Sequence, residues 1–136
     1  QMYGLQEALT QFKQVGLEAM WKRHGRVAEA ARNGVKAMGL KLFADPAHAS
    51  NTVTAIHNPD GKDSAPLRKL LREKYGVVLA GGQSKLSDKI FRIGHMGFIG
   101  ETDVLSALAW LGMALEEFGF KADTHAALAA AHEALR

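Results

Sequence analysis

Lys89-Ile90-Phe91-Arg92-Ile93-Gly94-His95-Met96-Gly97 sets one arginine inside a short apolar run and closes the run with glycines. Ile90 to Ile93 has the length and composition of a β-strand. A charge in mid-strand needs an account. Arginine stays charged at any accessible pH and presents a planar fork of donors, so it can hold a carboxylate or phosphate through two parallel hydrogen bonds. Arg92 is therefore the first candidate for a ligand contact. The other reading is an edge-strand arginine whose stem covers apolar surface while its head stays in water.

Upstream of this strand, Gly81-Gly82 reads as a tight turn between strands, or as glycines that admit close approach of a ligand. Val77-Val78-Leu79-Ala80 before it reads as a strand, and Ser84 to Asp88 after it as a polar loop. Ser84, Lys85 and Ser87 are available for polar contacts there; solubility explains them equally. His95 follows the arginine among glycines and is a candidate cleft residue, or else a histidine buried against a backbone carbonyl. Met96 reads as a filler of core space.

Further out, Leu5, Leu9, Phe12, Val15, Met20, Trp21, Val27, Ala31, Val35 and Met38 recur at helical spacing, predicting a long helix from Leu5 to Met38 with a break near Gly16 or Gly25. A helix of roughly 30 residues spans about 45 Å. A small domain cannot cover all of it, so part of its apolar stripe should pack on something outside the chain. Leu40 to Ala44 and Thr52 to His57 read as strands closed by Asp45-Pro46 and Asn58-Pro59-Asp60-Gly61. Ser64 is placed to cap a helix that Gly76 stops. Glu101 to Phe118 and Thr124 to Leu135 read as two further helices, with Trp21 and Trp110 at packing positions. The expected fold is α+β: a small, mostly antiparallel sheet with helices on one face, preceded by a long connector helix.

Bulk properties exclude several classes. With 136 residues and 47% hydrophobic content the chain can bury one sizeable core. No run approaches the ~18 apolar residues of a membrane span, and the start lacks a signal-peptide pattern. Having no cysteine, the chain has neither disulfides nor a thiol nucleophile, which suits the cytoplasm. Seventeen basic against fourteen acidic residues, intermixed along the chain, do not make a nucleic-acid surface. No Walker loop, nucleophile elbow, dinucleotide fingerprint or His-Glu-x-x-His is present.

Glu18-Ala19-Met20-Trp21-Lys22-Arg23-His24, Met38-Gly39-Leu40-Lys41-Leu42-Phe43, Thr52-Val53-Thr54-Ala55, Gly76-Val77-Val78-Leu79-Ala80-Gly81-Gly82 and Phe91-Arg92-Ile93-Gly94-His95-Met96-Gly97 follow one another in that order. Together they resemble the C-terminal small domain of class V pyridoxal-phosphate-dependent aminotransferases. The resemblance is to the alanine–glyoxylate and serine–pyruvate group, some bacterial members of which carry the label of a soluble hydrogenase small subunit. It implies a fold-type I small domain over residues 39–136, with residues 1–38 as the connector from a large domain. It also implies a homodimer and, at Arg92, a clamp for the α-carboxylate of a small amino acid or 2-keto acid, with Gly81, Gly82 and His95 near the cleft. Pyridoxal phosphate would be held by the large domain, so this segment alone is expected to be inactive. The rival expectation is a stand-alone, non-catalytic module that binds a small carboxylate or a protein partner.

Overall fold

The computed structural model describes residues 1–136. The long apolar stripe forms two helices, α1 (Met2–Val15) and α2 (Leu17–Ala37), because Gly16 takes φ 85°, a conformation that side chains disfavour. Gly25 stays within α2. Leu40 to Ala44 yields only an isolated bridge, Leu42 to Ile56, before Asp45 caps a 3₁₀ turn at Pro46–His48. After it come β1 (Val53–His57), a 3₁₀ turn at Pro59–Gly61, α3 (Ala65–Tyr75), β2 (Ala80–Gly81), a 3₁₀ turn at Ser84–Leu86, β3 (Ile90–Gly94), α4 (Glu101–Glu117) and α5 (Thr124–Leu135).

Two local expectations are corrected. Ser64 precedes α3, but its hydroxyl makes no capping bond; Asp63 Oδ1 accepts from the Ala65 N–H at 2.9 Å instead. Val77 to Leu79 lies outside the strand, and Gly81, read as a turn residue, is the second residue of β2. Gly76 ends α3 with φ 68°, as its position predicts.

The sheet has the order β1-β3-β2, antiparallel throughout. Ile56 pairs with Phe91 and Thr54 with Ile93, and these four side chains are buried on the helical face. Alternation then sends Ala55, Arg92 and Ala80 together to the other face. One cluster of buried residues joins that sheet face to Val27, Ala31, Val35 and Met38 of α2 and its end, Leu67 and Leu71 of α3, Leu108, Leu111 and Leu115 of α4, and Ala127 and Ala131 of α5. Ala127 and Ala131 of α5, ordinary helix formers by sequence, are fully buried against their neighbours and set how closely the helices approach.

Small residues carry that approach. A methyl at Gly34 would stand 2.5 Å from Leu108 Cδ1, and one at Gly112 would stand 2.0 Å from Thr124 Oγ1. At the other edge, Tyr75 stacks on Trp110 with centroids 4.9 Å apart. Lys74 Nζ and the Tyr75 hydroxyl both reach Glu117, holding its carboxyl below the usual range.

α1 buries no residue. Its Met2, Leu5 and Leu9 are exposed, and so is Trp21 of α2 at 66%, contrary to its expected packing role; Met96, expected to fill core space, is 56% exposed. No helix is long and apolar enough to cross a membrane. Gly112→Ala forces Thr124 aside and should lower unfolding free energy by about 1–3 kcal/mol. Urea denaturation against the parent chain reads it, and an unchanged midpoint would contradict the packing described.

Candidate anion-binding edge and its relatives

Arg92 emerges on the sheet face away from the core, flanked by Ala55 and Ala80. Two alanines make a low floor across which a long side chain can lie. Gly82 N donates to Ile90 O at 2.9 Å, so in the antiparallel alternation the Gly81 carbonyl points away from β3 to the free edge of β2. Arg92 Nε donates to that carbonyl at 2.9 Å. This single bond fixes the guanidinium plane, and the two terminal nitrogens make no hydrogen bond or ion pair within the chain. A planar fork held at its root with both tines free is the geometry for a two-point grip on a carboxylate.

The two glycines have internal reasons to be glycine. A Cβ on Gly81 would lie 2.9 Å from both Cζ and one terminal nitrogen of Arg68 and 3.1 Å from the other, so the Arg68 guanidinium lies flat against this residue. A Cβ on Gly82 would lie 1.8 Å from Leu86 O, where the Ser84–Leu86 turn folds back under the strand. Gly81 therefore meets Arg92 through its carbonyl, and Gly82 permits the turn beneath the strand. Ser84, Lys85 and Ser87 are exposed on that turn, with Ser87 Oγ donating to Ser84 O, and none bonds to Arg92.

His95 is fully buried and does not line an open cleft. Its Nδ1 stands 3.2 Å from the Asn51 carbonyl, which can only accept, so Nδ1 carries the proton and Nε2 accepts from the Thr54 hydroxyl at 2.9 Å. The ring ties the segment after β3 to the start of β1. Arg23 and Arg26 of α2 pin the same segment further on. Arg23 donates to the Gly97 carbonyl at 2.5 Å and to the Ile99 carbonyl at 3.3 Å, and Arg26 pairs with Glu101. The sequence reading missed Arg68 and Arg23, since both sit among the charged residues of amphipathic helices and carry no local mark.

No family model matches the chain. Curated relatives do. Over 119 residues it is 47% identical to an uncharacterized aminotransferase of Methanocaldococcus jannaschii, covering 88% of this chain and 31% of that protein. A serine–glyoxylate aminotransferase of Methylorubrum extorquens is 41% identical over 136 residues, 99% of this chain and 34% of its own length. Among solved structures, the pyridoxamine–pyruvate aminotransferase of Mesorhizobium loti superposes with a TM-score of 0.92 at 40% identity, covering 97% of this chain and 34% of that one. In sequence and in fold this chain matches the small C-terminal domain of class V aminotransferases. The domain spans about a third of the length of the relatives it matches.

Burial pushes the His95 pKa of this chain below the usual 6.5; the Arg32 charge acts the same way, and the Asn51 carbonyl opposes both. The folded ring is neutral, whereas an unfolded histidine takes a proton near pH 6.5. The stability it contributes is present above that pH and is lost as pH falls toward the depressed folded value, by at most about 1.4 kcal/mol per pH unit. The stability difference between the parent chain and His95→Gln should shrink below pH 6.5 in urea titrations; a gap that widens on acidification would reverse the assignment.

Proposed function

We propose that the chain is the substrate-carboxylate-binding part of a pyridoxal-phosphate-dependent aminotransferase that moves an amino group between a small amino acid, serine or alanine, and a 2-keto acid, glyoxylate or pyruvate. One observation carries this reading: the Arg92 guanidinium, anchored through Nε at the free edge of β2, keeps two terminal nitrogens unpaired. Glyoxylate and pyruvate recur in the names of the relatives, and both present a carboxylate beside the reacting carbonyl. A bidentate arginine supplies the orientation such a substrate needs, because both of its N–H bonds must be satisfied at once.

The residues of this chain do not fit the cofactor. All ten lysines are exposed, whereas a lysine that joins a carbonyl cofactor is activated in a desolvated position. In this reading pyridoxal phosphate, which stabilises carbanions when bound, is held by a large domain. Residues 1–38 lead to that domain, with α2 packed into the core that residues 39–136 complete as the small domain. The exposed Met2, Leu5 and Leu9 of α1 support the connector role, since they are an apolar stripe with nothing on it. The working assembly would be a cytoplasmic homodimer, and the 136-residue chain alone would be inactive.

In the full-length enzyme, Arg92→Met should raise KM for both amino and keto acid by about two orders of magnitude, the scale of two lost charge-assisted bonds, and leave the cofactor absorbance intact. Steady-state kinetics decide it, and unchanged KM removes Arg92 from the site. The isolated chain incubated with pyridoxal phosphate should develop no lysine-dependent absorbance band; one that vanishes on replacing a single lysine would place the cofactor here.

A further inference from the structure

Arg68 is half-buried on α3 and makes no side-chain hydrogen bond or ion pair within the chain; its Nε is buried without an acceptor. A guanidinium offers five donors, and leaving buried ones unmet costs about 1–3 kcal/mol each. Glycine at position 81 nevertheless makes room for it, since a methyl there would stand within 3.1 Å of Cζ and both terminal nitrogens and push the group aside. Lying flat on Gly81, the group directs its N–H bonds sideways. Beside it opens a cleft of about 170 Å³ lined by Ala65, Arg68, Lys69, Arg72, Val78 and Leu79.

Three cations line this cleft, and no acidic residue does. Asp63 Oδ1 accepts from the Ala65 N–H at 2.9 Å, and Glu73 lies 3.4 Å from Arg72 in a largely exposed pair that offers little compensation. Arg68 and Arg72 stand one helical turn apart, a spacing at which like charges destabilise a helix. An anion between them converts that repulsion into attraction. The volume admits a small group and excludes a nucleotide. We infer that the cleft between α3 and residues 77–79 is a binding site for a small oxyanion, a phosphate or carboxylate group, gripped by Arg68 with Lys69 and Arg72 at its mouth. This site does not depend on the carboxylate clamp at Arg92. Arg68 presses on the residue whose carbonyl orients Arg92, so an anion that fixes Arg68 also steadies the clamp.

The test is a ¹⁵N NMR titration of the 136-residue chain with inorganic phosphate and, separately, acetate, at constant ionic strength with chloride as reference. Saturable shifts are expected at the Lys69, Arg72, Val78 and Leu79 amides and at the Arg68 Nε–H. Saturation by phosphate alone assigns the site to a phosphoryl group; saturation by acetate as well assigns it to carboxylates too. Arg68→Met should weaken binding by about tenfold or more, the loss of one charge-assisted contact. Should that variant fold poorly, the doubly substituted Lys69→Met, Arg72→Met chain, altered only at exposed positions, should bind several-fold more weakly. Arg92→Met should leave phosphate saturation in place, which separates this inference from the proposed function. Shifts that grow linearly with both anions, match those of chloride, or persist unchanged without Arg68 or without Lys69 and Arg72 would overturn it.

Discussion

Phe91 and Ile93 cannot enter the core without putting Arg92 outside it. β3 is the central strand of three, and its alternation is pinned on both sides, by Ile56 opposite Phe91 and by Ala80 opposite Arg92. A slip of one residue would bury the guanidinium and expose two large apolar side chains, so the register is held by the full hydrophobic energy of the core. Every other part of the candidate site inherits its position from that register. The floor of alanines, the outward Gly81 carbonyl and the free tines of the fork all follow from which residue faces which.

The helices hold the register by packing closely enough to leave no slack. Gly34, Gly112, Ala127 and Ala131 let α2, α4 and α5 approach until backbone and side-chain tips touch. Such contacts tolerate little added volume, because a packed interior has few voids to absorb it. The three-helix layer therefore acts as a stiff back plate for a small sheet. Arg23 and Arg26 extend its reach to the segment between β3 and α4, and His95 secures the start of that segment from below. The site side of the sheet is left open, as is α1, and an aminotransferase large domain would have both surfaces to meet.

Glycines and arginines work in pairs at the β2 edge. Arg68 needs Gly81 to lie flat, Arg92 needs the Gly81 carbonyl to stand still, and the turn after Gly82 needs that glycine to fold under the strand. One residue, Gly81, is thus touched by two guanidinium groups from opposite faces of the sheet. Neither guanidinium is paired with an acid, so the edge is electropositive and favours anionic over cationic partners.

Periodicity determined most of the helices, a break at either Gly16 or Gly25 and the two main strands, because each of those signals is local: apolar spacing, a turn pair, a glycine past a helix end. The arginine in mid-strand was legible for the same reason, since a lone charge in an apolar run stands out within a few residues. What a neighbour 10 to 80 positions away supplies could not be read that way. Gly81 looked like a turn until the register made it a strand residue under Arg68. His95 read equally as a cleft residue or a buried one until Asn51 and Thr54 closed over it, and Leu40 to Ala44 looked like a full strand although only Leu42 found a partner. Local patterns carry the identity of an element, but burial and pairing are properties of two segments at once, and only the folded chain brings the second segment into place.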